Sequence, residues 1–389
     1  MSSTRRRQFL LAASGLAAGL AGCTAARERV GDVRRSPPER RVASDWRPEP
    51  GTWAEREYGP TNSRHNPHAT PPRTEPEIDW ERDLEHPIGD GTVVVAEETV
   101  YLSTRRRLLA LDADDGTMRW DRDLGDGAGL KYVDGRLYQL NWGLRRSELV
   151  ARSPGGDERW RTAIPDYLVD VHERDGYLFV SGRNRYWTLH ADTGEIVRER
   201  EDWLRRIASD GDRLYAAYSD ILVGYDVDGR TLEERWRSLS DLAPESGHPV
   251  VADDQIFVPA YHPTGTGGGV FVSDLSGEKR HRIELEQGPR YLVDTEDGPV
   301  AVPSSNEHDG ELVALRTDGS QRWTAAIGAR ARAIAAGETV YAGTSPLTAL
   351  DATSGERLWE WDAGVAVRLA ATNSTLYVVT ADRIVALRT

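Results

Sequence analysis

The chain copies itself. The segment ALDADDGTMRW ends on Trp120, VARSPGGDERW on Trp160, GYDVDGRTLEERW on Trp236, ALRTDGSQRW on Trp323 and ALDATSGERLW on Trp359. Degenerate copies end at Arg198 and His281, and a first marker stands alone at Trp80. Neighbouring markers lie 36 to 45 residues apart. A period in that range means a solenoid or a propeller, because one unit cannot bury its own apolar face and must lay it on the next.

Each unit has a β interior. Residues 91–123 contain TVVVA, TVYLS, LLALD and TMRWDRDL, four short runs rich in β-branched and aromatic residues and separated by Gly and Asp. DDG, DTG, DVDG, TDG and TSG supply the turn between the third and fourth runs, where Gly tolerates positive φ. Four short antiparallel strands make one propeller blade. The markers Trp80, Trp120, Trp160, Trp236, Trp323 and Trp359 are expected to wedge blade against blade, since a large aromatic buries the most area.

The two ends of the chain are complementary. After Trp359 only AVRLAAT, TLYVVT and IVALRT remain, which are three strands. The missing fourth is EIDWERDL, residues 77–84, with Trp80 in the marker position. The expectation is therefore an all-β, eight-bladed β-propeller, closed by pairing the N-terminal strand with the C-terminal blade. Closure removes the sheet edges that a linear array would expose. The propeller is assigned to residues 75–389 and a lead-in segment to 51–74.

The first 50 residues read as an address and a tether. Arg5, Arg6 and Arg7 precede an apolar, small-residue run from Phe9 to Ala21, and RRRQFL resembles a twin-arginine export signal. Leu20-Ala21-Gly22-Cys23 resembles a lipobox, which makes Cys23 the lipidated residue and residues 1–22 a signal peptide. Cys23 is the sole cysteine, so no intramolecular disulfide forms. Residues 23–50 are Arg- and Pro-rich without apolar periodicity and read as a disordered tether. The expected location is the extracytoplasmic face of the cell membrane.

The formal charge is −14, and loss of the signal peptide takes it to −17. Such a surface repels nucleic acid. Lys131 and Lys279 are the only lysines, a bias that resembles proteins of salt-loving archaea and that high genomic GC content also produces.

The motif A-x-D-x-x-T-G-x-x-x-W, matched best by ALDATSGERLW, resembles the repeat of pyrroloquinoline-quinone (PQQ) type propellers over about residues 75–389. The lead-in also resembles that of haloarchaeal PQQ-like repeat proteins. The family holds both eight-bladed quinoprotein dehydrogenases and BamB-like lipoproteins of outer-membrane assembly, and one fold hosting both leaves function open. The resemblance implies, for a dehydrogenase, an adjacent cysteine pair and a carboxylate–Asn calcium site. The pair is absent here and no such cluster stands apart from the repeat turns, so PQQ is not the expected cofactor. An outer-membrane role would need an outer membrane, which the halophile-like composition disfavours. Two readings remain: a lipid-anchored scaffold that binds a protein partner or an anionic ligand, and a quinoprotein-like enzyme or cofactor carrier working at the channel mouth.

Other motifs are bland. Asp112, Asp114 and Asp115 lack the remainder of a calcium loop, and PTGTGGGVF (263–271) lacks the Lys-Ser/Thr of a phosphate loop and reads as an enlarged loop. The histidines show no metal-binding spacing, and no nucleophile–base pair can be assigned. One constellation is stronger. Nine residues before the second-strand aromatic, at the start of each innermost strand, stand Thr92, Gly129, Asp170, Arg206, His248, Leu292, Arg332 and Arg368, with Arg205, Arg290 and Arg330 within two residues. A ring geometry would gather Arg206, Arg290, Arg332, Arg368, His248 and Asp170 at one channel mouth. Guanidinium groups there suit carboxylates or phosphates, whereas pairing with neighbouring acids would make them structural.

Overall fold

Eight antiparallel sheets account for the repeat. In blade 1 the strands are Val93–Ala96, Thr99–Ser103, Arg107–Asp112 and Met118–Asp123, hydrogen-bonded in that order. Blades 2 to 7 repeat the arrangement, their innermost strands being Ala128–Val133, Asp170–Arg174, Ile207–Ser209, Val250–Ala252, Pro289–Val293 and Arg332–Ala336. Blade 8 takes Arg368–Thr372, Thr375–Val379 and Arg383–Arg388 from the C-terminus and Glu77–Asp83 from the N-terminal side. Glu77 pairs with Arg388 and Asp83 with Arg383, so the ring closes as expected. This computed structural model describes residues 37–389 except 125–127, 144–145, 203, 240–244, 263–266, 304–309, 328–331, 344, 363 and 367. Cys23, the signal peptide and Arg330 lie outside the described residues. The glycine-rich stretch divides there: from Gly268 it is the third strand of blade 5, Gly268–Asp274, and not loop.

Inner strands are buried on both faces, as in Val93–Ala96 and Arg368–Thr372, because each is sandwiched between neighbouring blades. The outer strands alternate, with Met118–Asp123 mostly exposed. In the outer pair of blade 1 the register shifts between Ala110 and Leu111, and blades 4 and 7 shift at the matching place, between Gly224 and Tyr225 and between Ala349 and Leu350. Such a bulge re-aims the side chain beside it, here the marker tryptophan.

The marker rings reach across to the next blade. The indole N–H groups of Trp80, Trp120, Trp160, Trp236 and Trp323 donate to the carbonyls of Ala113, Pro154, Ala191, Leu275 and Ala352, at 2.8–3.2 Å. Each acceptor lies in the turn between the third and fourth strands of the following blade. The turn glycine completes the contact: a Cβ on Gly194 would stand 2.4 Å from the Trp160 ring, and one on Gly355 2.6 Å from Trp323. The T-G…W spacing thus joins a turn to the ring of the preceding blade, beyond the backbone freedom at φ +72° and +73° that the turn itself needs. His281 and Arg198 leave their blades without this wedge.

The lead-in segment does not trail outside the ring. Trp53 exchanges backbone hydrogen bonds with Val95 of blade 1, and the Tyr132 N–H of blade 2 donates to Ala54 O. Pro60, Thr61, Ser63 and Arg64 then accept from Ser209, Val251, Asp294 and Ala335 of blades 4, 5, 6 and 7. His65–Asn66 pairs in parallel with Arg332–Ala336, and Thr70 donates to Asn373 O of blade 8. One chain segment therefore circles the inside of the channel and satisfies the free edges of the innermost strands. Trp53 is wholly buried.

Residues 37–50, expected above as the end of a tether, are laid on the propeller. Val42 is buried and its carbonyl accepts from Asp175 N, while Glu39 N donates to the Asp192 carboxylate. Arg40 pairs with the buried Glu173, which also accepts from Tyr138 Oη at 2.7 Å. Asp175 and Asp192 lie in hairpin turns, so the chain enters at the end of the channel opposite the starts of the innermost strands.

The candidate site at the open end of the channel

Antiparallel blades put all eight innermost-strand starts at one end, and the expected residues stand there. Asp170, Arg332 and Arg368 are first residues of their strands, Arg206 directly precedes Ile207–Ser209, His248 lies two residues before Val250, and Arg290 is second in Pro289–Val293.

The lead-in supplies a floor. One pocket is lined by Trp53, Arg56 and Arg64 from the lead-in and by Arg332, Arg368 and Thr92 from the blades, with Val93, Ile334 and Leu369 among the apolar walls. Arg368 donates Nε to Gly91 O at 2.7 Å and a terminal nitrogen to Gly89 O at 3.4 Å, which ties blade 8 to blade 1. Burial, with Arg56 and Arg332 close by, pushes its pKa down to about 9. Arg64 is clamped by Glu57, which accepts from a terminal nitrogen at 2.6 Å, and its guanidinium stacks 3.8 Å over the Tyr291 ring. Burial of Glu57 alone would raise its pKa, but Arg64, His248 and Arg56 outweigh that and hold it below the ordinary value.

Arg332 is different. Its side chain makes no hydrogen bond or ion pair among the described residues, and burial, Arg290 and Arg64 lower its pKa against the opposing pull of Tyr291 and Glu57. Arg206 sits apart from the pocket. It turns the chain at φ +48° and donates to Ser246 O of blade 5, and burial lowers its pKa, with Tyr261 opposing and Arg205 and Arg290 repelling. Arg290 is exposed and repels both Arg206 and Arg332.

Asp170 and His248 do not join the guanidinium groups. The Asp170 carboxylate accepts from Val171 N at 2.8 Å and Ile207 N at 3.0 Å, and lies 4.0 Å from His248 Nδ1. Burial depresses the His248 pKa despite Glu57 and Asp170, which argues against a cationic ring at neutral pH. On the same side Lys131 pairs with Glu55 at 3.0 Å and donates to Val171 O. The mouth is thus divided: guanidinium groups over blades 6, 7, 8 and 1, and a neutralised polar network over blades 2, 3 and 5. Arg56, Glu57 and Arg64 were not among the expected site residues. Trp53 and Tyr58, flanking a polar run without strand period, were the signal that this run is buried.

A family model described as outer membrane protein assembly factor BamB matches residues 73–143 and 145–389. No curated protein matches the chain. Among solved structures, BamB from Moraxella catarrhalis is similar with a TM-score of 0.63 at 14% identity, over 81% of this chain and 100% of that one. A europium-containing methanol dehydrogenase gives 0.64 at 11% identity, over 88% and 98%. The computationally designed Ika8 protein gives 0.65 at 10%, over 80% and 100%. At these identities the likeness concerns the fold alone.

Proposed function

This chain belongs to the family described as outer membrane protein assembly factor BamB, and on that premise we propose that it is an exported, lipid-anchored scaffold that holds a protein partner at the open end of its channel. The supporting observation is the asymmetry of the channel. One end carries the entering chain and the circling lead-in, while the other presents the side chains of Arg290 and Arg332, which make no hydrogen bond or ion pair among the described residues. Lipidation at Cys23 would put the anchor on the entry side and leave the arginine-bearing end for the partner. Carboxylates of that partner are the natural complement.

The second reading is a quinoprotein-like redox enzyme or cofactor carrier, supported by the fold shared with the methanol dehydrogenase. Its donor set does not fit: among the described residues no group of three or more His, Cys, Asp or Glu could hold a metal.

The test uses the native membrane. A photo-crosslinking residue at Arg290 should give a discrete protein adduct that the same residue at Arg357, on an outer strand, does not give. Cys23→Ser should move the protein out of the membrane fraction. Equal adducts at both positions would defeat the proposed binding end, and a Cys23→Ser protein retained after a high-salt wash would defeat the anchor.

A further inference from the structure

We propose that the pocket formed by Arg56, Arg64, Arg332 and Arg368 is a binding site for a single multivalent oxyanion, a carboxylate- or phosphate-bearing group that enters from the open end of the channel. This deepens the reading of that end as the binding end and rests on it.

The fold does not require guanidinium groups there. Thr92, Gly129 and Leu292 occupy the matching repeat position in blades 1, 2 and 6, and those blades close without them. Arg332 is half-buried beside Arg290, Arg64 and Arg368, and its side chain makes no hydrogen bond or ion pair among the described residues, Glu57 being the one nearby carboxylate that opposes the repulsion. A like-charge arrangement of this kind costs stability, and an anion between the forks would relieve it. The remaining forks are already oriented. Arg368 is held by the carbonyls of Gly91 and Gly89, Arg64 by Glu57 and Tyr291, and Arg56 donates to Asp90 O at 2.7 Å. Little side-chain entropy remains to be lost on binding. Trp53, Val93, Ile334 and Leu369 keep the walls apolar, which strengthens each charge-assisted contact.

The site also has an internal logic. Two of its four arginines come from the lead-in and two from blades 7 and 8, so it exists only when the lead-in is seated. Arg332 is the residue to change, since its loss breaks no side-chain hydrogen bond or ion pair among the described residues.

The experiment is calorimetry on the detergent-solubilised full chain at low ionic strength, where screening is weak, with citrate and inorganic phosphate as separate probes. We expect saturable binding of at least one probe. Arg332→Ala should weaken it tenfold or more, and Arg332→Lys, which keeps the charge and loses the fork, should weaken it less. Without anion, Arg332→Ala should melt at or above the wild-type temperature, and the bound probe should raise the melting temperature of the wild type more than that of Arg332→Ala. Citrate alone binding assigns a carboxylate source, phosphate alone a phosphate source, and both a general oxyanion site. Absence of saturable binding, or equal binding by Arg332→Ala, would overturn the pocket. A crosslinked partner at Arg290 that survived this outcome would leave the scaffold standing, so the two failures are separable.

Discussion

The indole N–H of Trp359 donates to the carbonyl of Pro72 at 2.9 Å across 287 residues of sequence. In the other marked blades the acceptor belongs to the turn between the third and fourth strands of the next blade. Blade 8 has no such turn, because those strands come from opposite ends of the chain. Pro72 takes its place, and Tyr341 Oη donates to the same carbonyl at 3.1 Å.

Trp359→Phe should therefore cost about 1 kcal/mol for the lost hydrogen bond. Trp359→Ala should cost about 3–5 kcal/mol, because the ring is buried and leaves a cavity. Urea unfolding measures both. A Phe variant as costly as the Ala variant would show that the Pro72 contact, and not the packing, dominates.

Two glycines separate backbone freedom from blade packing. Gly229 has φ +54° and open space where a methyl group would stand, whereas Gly355 has φ +73° and the Trp323 ring 2.6 Å from the place of that methyl. Gly229→Ala should cost about 1 kcal/mol for the left-handed conformation alone. Gly355→Ala should cost a further 1–3 kcal/mol or so for displacing the ring. Equal melting temperatures for the two variants would refute the second role of the turn glycine.

Truncations should fall in steps. Removing residues 1–50 deletes Val42 and Arg40, leaving Glu173 buried without its cation, and should lower stability while the ring still closes. Removing residues 1–70 also strips the lead-in, leaving Lys131 without Glu55 and the inner strand edges unpaired. Removing residues 1–84 takes the fourth strand of blade 8 and should produce aggregation. Melting and size-exclusion profiles check the order, and a cooperative monomeric melt of the longest truncation would contradict closure by Glu77–Asp83.

The lead-in should also be acid-labile. His65 is buried, its Nε2 lies 3.2 Å from Gly337 O, and burial pushes its pKa down to about 4. The unfolded chain takes up a proton near pH 6.5 and the folded chain only near 4. The stability associated with His65 is thus present above pH 6.5 and is lost as pH falls toward 4, by at most about 3 kcal/mol. His65→Gln, which cannot titrate, should flatten that slope in denaturant melts at pH 4 to 7. An unchanged slope would place the acid sensitivity elsewhere, His172 being the next candidate because burial also depresses its pKa.

Much of the architecture was legible because a repeat states the same local instruction many times. Alternating β-branched runs, turn glycines and Trp markers gave eight blades, and the displaced strand at Trp80 gave the closure. The mouth was partly legible for the same reason, since equal repeat positions must share one end of a ring. The lead-in was not, because a segment that occurs once has no periodicity, and its hydrogen bonds go to seven different blades.

The sequence by itself determined the blade count, the strand that closes the ring and the residues at the open end, all of which follow from local pattern and chain order. Only the tertiary structure decided that residues 51–70 circle the channel, and that Arg332 and Arg368 meet Arg56 and Arg64 while Arg206 and Asp170 do not. Contacts of this kind depend on where the free edges of eight inner strands come to lie around an axis. Those positions exist only once the ring is closed.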